Sequence, residues 1–514
     1  MSYLRETGIM TQFSSWQLIC VLVLVYLTHQ GFKAIKYNGL RRKWYTKPCR
    51  KSGQSSLQRT RAMKEASKKG RLFEYHEQQF IRENAHTLEM RVFTQTIFMT
   101  KSAENVKCML SQNFQDWSLG PRLRAFRPLL GHGIFVSDGA RWESSRKLLK
   151  PQFSREQISH VRMLEPHVQN LFKRIKAHHG ARFDIQPLFH LLTLDAATEF
   201  LFGESVGTLN FDKNGSVDEI ERKKKFGHAI GFIQEYLIKR ANLLDYCWLL
   251  NSAEFRNNVE FVHDFTTDFI KKAQIASGTS DASSNYVFLR ELLKRTSDPI
   301  ILRDETLNIM LAGRSTTASL LSSLIYELAR NPSVWLKLRE VVSINFGKGE
   351  CGAELDSITF ETLAKCLYLR YVMNETLRLH PPVSQNARQA TKITTLPVGG
   401  GPDGQSPVFI KKGDIVVFQI YSMHRQRDLF GDDADCFRPE RWAALNHIGS
   451  AFLPFGTGPR VCLGQKYALT EASYILVRLA QTFPTLEHDN SAYPPRKRST
   501  ATTVYMDGVN VHMS

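Results

Sequence analysis

The chain has 514 residues, 42% hydrophobic and 23% charged, a balance that excludes a disordered or fibrous protein and suits either two or three ordinary domains or one large core. Its net charge is +19, of which the fourteen Lys/Arg and one acid (Glu65) between Lys33 and Arg71 supply +13. The eight cysteines are scattered and form no C-x-x-C pair, which excludes a zinc ribbon and a dithiol redox motif and points to a reducing compartment.

In chain order, the first element is the apolar run "WQLICVLVLVYL", Trp16 to Leu27, flanked by Phe13 and Phe32. A membrane-spanning helix needs about 20 mostly apolar residues. Phe13 to Phe32 reaches that length only by including Ser14, Gln17, His29 and Gln30. No small-x-small cleavage site comes after it, and the basic cluster lies after the apolar run rather than before it. The expectation is a signal-anchor over residues 1–32, transmembrane from about 13 to 32, and then a basic linker over 33–71. The positive-inside rule keeps the C-terminal side cytoplasmic, as in a single-pass protein of the endoplasmic reticulum membrane. By charge alone the linker suits a nucleic-acid arm or a membrane surface; the preceding anchor favours the membrane and no nucleic acid.

Residues 72–514 read as one large domain. "EYHEQQFIRENAHTLEMRVFTQTIF" and most of the chain beyond it read as helix separated by short polar breaks. In "FGHAIGFIQEYLIKR", Phe226 to Arg240, the spacing of Ile230, Ile233 and Leu237 fits plain core or, alternatively, a substrate-entry lip. A longer helix is expected from Asp298 as N-cap and Pro299 at its first position to Asn331-Pro332, about 32 residues or nearly 50 Å. Strand signals are few and late: "RQATKITTLP" reads as a strand, and "PVFIKKGDIVVFQ", Pro407 to Gln419, as a hairpin turning at Lys412-Gly413. The fold class is therefore mainly α with a small β subdomain.

The chemistry concentrates in "FGTGPRVCLG", Phe455 to Gly464. Glycines 456, 458 and 464 allow a backbone that comes close to a flat partner. "QKYALTEASY" then opens a helix, so Cys462 precedes a helix N-terminus, where a thiolate is expected to be stabilised. Phe455 can shield the sulfur, and Arg460 offers a fork for a carboxylate. Read alone, Cys462 fits either a structural cysteine or the axial thiolate ligand of haem iron.

Phe455, Gly458, Arg460, Cys462 and Gly464 fill every fixed position of F-x-x-G-x-R-x-C-x-G, and here the sequence resembles the cytochrome P450 family over roughly residues 72–510. Three further motifs keep the family's order. "ETLR" gives Glu375 and Arg378, "FRPERW" gives Arg441, and "RWESSRK" gives Trp142 and Arg146. The resemblance implies a cytochrome P450 fold and a haem b cofactor on Cys462. It implies a structural Glu375–Arg378–Arg441 network, and haem-propionate contacts from Trp142, Arg146 and Arg388. In the long helix "AGRSTT" matches the family's oxygen-activating motif at Ala312, Gly313 and Thr316, with Thr316 in the role of hydrogen bonding and protonating bound dioxygen. The usual acid is replaced by Ser315, either as a neutral polar substitute or as a departure that slows proton delivery.

Finer stretches, among them "DPIILRDETLNIMLAGR" and "RLHPPVSQNARQATKITTLPVGGG", resemble the fungal alkane and fatty-acid hydroxylating branch. That implies a monooxygenase acting on an apolar aliphatic substrate with O2 and electrons from an NADPH–cytochrome P450 reductase, with Pro382, Val383 and Ser384 bordering the substrate. The alternatives are a tailoring hydroxylase of fungal secondary metabolism, and a reductase-independent haem-thiolate isomerase or dehydratase.

Overall fold

The computed structural model describes residues 15–92, 95–154, 159–210, 216–276, 288–350, 352–445, 448–489 and 493–514. Its axis is the helix Pro299–Arg330. Asp298 caps this helix as expected, its carboxylate accepting from the amides of Ile300 (2.8 Å) and Ile301 (3.3 Å). The chain leaves at Asn331, and Pro332 opens the next helix, Pro332–Phe346. Leu320, Leu321, Leu324, Ile325 and Leu328 lie on several sides of the helix and are all buried, so its C-terminal half is enclosed. The helices Gln186–Phe202, Ala253–Ala276, Leu367–Leu379 and Gln465–Thr482 all contact it.

The helix Val217–Asn242 packs Phe226, Ile230, Ile233 and Leu237 into the same core cluster as Met310, each at most 1% exposed. Those residues are core, not an entry lip.

The main sheet has five strands in the order Thr87–Val92, Gln95–Thr100, Ile415–Gln419, Gln385–Ala390, Trp117–Ser118. Two sequence expectations are corrected here. The helical reading holds for Leu72–Arg82, but "TLEMRV" and "QTIFMT" are an antiparallel strand pair with Thr87 opposite Thr100. Alternate residues Leu88, Met90, Ile97 and Met99 point into a small core with Phe80 and Ile415, a period of two that belongs to strands. Their neighbouring strand, Ile415–Gln419, lies far downstream, so no local pattern announces it. Pro407–Gln419 is not a hairpin. Ser406–Ile410 pairs with Thr394–Gly400 in a separate sheet, while Ile415–Gln419 joins the main one. The turn between them is held from outside, Gly413 donating to the carbonyl of Ala390 (2.8 Å).

The apolar run Trp16–Leu27 lies on the helix Ser15–Lys43, which continues into Arg41, Arg42 and Lys43; Phe13 and Ser14 lie outside the described residues. Among the described residues no helix is long and apolar enough to cross a membrane, which corrects the transmembrane-helix expectation. The reason is length. Trp16–Leu27 spans about 18 Å at 1.5 Å per residue, against about 30 Å of hydrocarbon. The far end of this helix rests on the domain, with Tyr37 beside Phe409 (6.3 Å between ring centroids) and the Lys411 ammonium 4.1 Å from the Tyr37 ring centre. Beyond it, Lys47 donates to Pro407 O, and Ser56–Lys68 forms a helix capped by Ser55 and Gln58.

Candidate active site

The segment from Phe455 to Cys462 is a closed loop. The Cys462 amide donates to the Phe455 carbonyl (3.0 Å) and the Val461 amide to that of Gly458 (3.0 Å). Gly458 has φ +71°, and a Cβ there would lie 2.0 Å from the Leu110 carbonyl oxygen, so both conformation and close approach demand glycine. The Phe455 ring packs against the main core. Gly464 stands at the N-cap of Gln465–Thr482, with φ −86°.

The Cys462 residue is exposed, yet the protein around it is dense enough that burial raises the thiol pKa above its ordinary value. The Gly464 amide and the Arg146 guanidinium pull it down without compensating. The expected thiolate stabilisation at the helix N-terminus is therefore outweighed by desolvation in the free thiol. Metal coordination would supply the difference, because a metal binds the deprotonated sulfur.

Around this loop the structure gathers cations. Arg146 donates to the Val461 carbonyl (3.1 Å). Arg460 donates to Ser137 O (2.9 Å) and to Asp138 Oδ1 (2.6 Å). The Trp142 ring lies between the two, 4.4 Å from the Arg460 guanidinium and 5.8 Å from that of Arg146. Arg388 donates to the Ala387 carbonyl and, weakly, to Asn386 Oδ1. Arg122, which sequence reasoning missed, reaches the same Asn386 oxygen, and its Nε is buried without a partner. Burial pushes the Arg388 pKa down to about 9, with Arg122 and Arg460 repelling it and Asp138 alone opposing. Burial likewise takes Arg122 and Arg460 down to about 10. Several guanidiniums sharing one carboxylate leave net positive charge, which a planar ligand carrying two carboxylates would neutralise. This donor set fits haem.

The long helix is tied to the same region. Asp304 accepts from the His132 amide (2.9 Å) and Asn308 Oδ1 from the Phe135 amide (3.0 Å), fixing the loop that leads to Asp138 and the helix Gly139–Leu149, home of Trp142 and Arg146. One turn on, Ala312, Gly313 and Thr316 are half-exposed, and nothing lies within 4 Å of a Cβ added to Gly313. Thr316 Oγ1 donates to the Ala312 carbonyl (2.6 Å). Ser315 is buried and points elsewhere, its hydroxyl 2.7 Å from Gln234 Nε2 on the helix Val217–Asn242. Pro382 and Ser384 are buried, Ser384 bonded to Thr503 Oγ1 (2.8 Å), while Val383 is half-exposed.

Glu375, Arg378 and Arg441 form one buried network. Arg378 grips Glu375 with two bonds of 2.9 and 2.8 Å, and Arg441 Nε reaches the same carboxylate at 2.8 Å. Trp442 and the Arg438 amide complete its shell.

Arg122, Asp138 and Gln234 were beyond sequence reasoning. "GPRLRAFRPLL" holds three arginines, and nothing local says which one turns inward.

Comparison with known proteins agrees with this geometry. The family model for cytochrome P450 matches residues 62–506. The chain is 47% identical to Cytochrome P450 52A9 of Candida maltosa over 464 residues, 88% of this chain and 89% of that protein. It is 46% identical to Cytochrome P450 52A12 of Debaryomyces hansenii over 455 residues, 87% and 88% of the two chains. With Cytochrome P450 52A1 of Candida tropicalis it shares 47% over 436 residues, 84% and 80%.

Proposed function

The chain belongs to the cytochrome P450 family, and from that premise we propose that it hydroxylates a long-chain aliphatic substrate, a fatty acid or n-alkane, with electrons from an NADPH–cytochrome P450 reductase. As a family member it is a monooxygenase whose cofactor is haem with a cysteine thiolate as iron ligand, served by a redox partner. When bound, haem supplies the O2 and one-electron chemistry; binding, orientation and proton supply fall to the chain.

In this reading Cys462 is the iron ligand, on a loop whose shape Gly458 and the Phe455 carbonyl fix. Arg388, Arg122, Arg460 and Arg146, with Trp142, hold the carboxylates of the cofactor. Thr316 keeps its proton on the Ala312 carbonyl, one bond rotation from the half-exposed face of the helix, and delivers it during oxygen activation. Ala312 and Gly313 leave room on that face, and Gly464 opens the helix behind the sulfur. The half-exposed Leu311, Ala312 and Val383 offer apolar contact, which suits an aliphatic chain.

The observation that carries the reading is the pairing of an exposed thiol with a cluster of guanidiniums that share a single carboxylate. We also place the protein at the endoplasmic reticulum membrane, residues 1–32 associating with it, 33–71 linking and 72–514 catalytic. On the helix Ser15–Lys43, Leu18, Leu22 and Leu24 are all exposed, and the +13 tract begins on the same helix at Lys33.

The test is a reconstitution of the full chain in microsomes with the reductase, offered alkanes, fatty acids and polyketide-like lipids while products and NADPH are monitored. Hydroxylated aliphatic chains are expected. Turnover confined to polyketide-like lipids would move the protein to secondary metabolism, and turnover without NADPH would make it an isomerase or dehydratase.

A further inference from the structure

Arg314 sits beside Ser315 on the long helix and is 8% exposed. Its Nη1 donates to Gln234 Oε1 (3.0 Å), its Nε is buried without a partner, and no carboxylate acts on it among the described residues. A neutral amide oxygen cannot balance a cation. Burial lowers the Arg314 pKa only to about 10, so the group stays charged at neutral pH. His190 offers no relief, because burial, helped by Arg314 itself, pushes it down to about 4. An unpaired buried charge costs several kcal/mol, and a neighbouring anion is the ordinary remedy.

The position next to it holds Ser315, whose hydroxyl is shared with the same Gln234 amide, 2.7 Å from Nε2 and 3.1 Å from Oε1. We propose that Arg314, Ser315 and Gln234 form a buried binding site for a carboxylate. The Nε–Nη2 edge of Arg314 is the fork that a carboxylate engages with two parallel bonds, and the Ser315 hydroxyl and the Gln234 NH2 are further donors to it. Entry requires the Gln234 amide to swing aside. Gly231, one turn earlier on its helix, is half-buried and has nothing within 4 Å of an added Cβ, so there is room beside Gln234. Helical geometry places Arg314 roughly opposite Ala312 and Thr316, so the site lies behind the face assigned to oxygen activation. Two sources share this chemistry: a free small carboxylate, and the acid head of a long chain.

The experiment uses the full-length holoprotein and reads its unfolding temperature. Sodium formate is titrated against equal sodium chloride, which matches the ionic strength but carries no carboxylate. A saturable rise of a few degrees is expected with formate alone. It should vanish in Arg314→Met, and in Ser315→Asp, which brings its own carboxylate to Arg314 and should start from a higher unfolding temperature. In a second arm dodecanoate is compared with dodecane. Stabilisation by dodecanoate that drops in Arg314→Met assigns the site to a substrate head, and a formate response alone assigns it to a free ion. This arm draws its probe from the hydroxylase reading, but the unfolding temperature reads binding whether or not any chain is hydroxylated. If neither ion gives a response that depends on Arg314, the proposal is overturned.

Discussion

Arg122 and Arg388 reach for the same acceptor: one guanidinium nitrogen of each lies 3.4 Å from Oδ1 of Asn386. Two cations sharing one neutral amide oxygen is an arrangement that makes sense only with negative charge still to come, and Asp138 is already engaged by Arg460 (2.6 Å).

That surplus of positive charge gives one substitution opposite signs with and without the cofactor. Without haem, Arg388→Met should stabilise the protein by about 1–4 kcal/mol, because it removes a buried charge that has no counterpart. With haem the same change should speed haem loss. Denaturant unfolding of apo- and holoprotein, together with haem transfer to a scavenger protein, measures both signs. Destabilisation of the haem-free form would contradict the assignment of Arg388 to the cofactor.

Glu375 holds two arginines at 0% side-chain exposure. Glu375→Gln leaves Arg378 without a carboxylate and Arg441 with Asp433 alone (3.0 Å), and the expected cost is about 3–5 kcal/mol. The change should appear as a lower yield of holoprotein and a lower denaturant midpoint. A variant as stable as the parent would show that the backbone carbonyls of His424, Ala434 and Cys436 suffice for Arg378.

Glycines in the cysteine loop are not equivalent. Gly458→Ala forces a Cβ to 2.0 Å from the Leu110 carbonyl oxygen at φ +71° and should displace the loop. The far-ultraviolet spectrum should survive while the carbon-monoxide Soret band of a thiolate-bound haem is lost. Gly464→Ala meets only the Phe153 ring at 3.6 Å and has φ −86°, so the haem-free fold should accept it. Any haem defect in that variant then reports contact with the cofactor rather than a broken loop.

Burial raises the Glu471 carboxyl from 4.5 to about 8. The folded protein therefore keeps a proton that the unfolded chain releases above its ordinary carboxylate pKa. The stability this contributes is complete below pH 4.5 and is lost as pH rises through about 8. Glu471→Gln, neutral throughout, should flatten the fall in unfolding free energy between those limits. An unchanged slope would show that Glu471 ionises freely in the folded state.

The sequence by itself determined what depends on neighbours in the chain. The Asp298 cap, the 32-residue helix behind it and the glycine-bounded loop around Cys462 are all written in a few consecutive residues, because capping and turn formation are short-range. Only the tertiary structure decided the rest. Thr87–Val92 and Gln95–Thr100 became strands because Gln95–Thr100 found Ile415–Gln419, and Pro407–Gln419 divided between two sheets because each half met a different partner. The same holds for charge. Nothing around Arg122 or Arg314 distinguishes it from the solvated arginines nearby, since a guanidinium becomes a binding group only when packing strips its water and withholds its counter-ion.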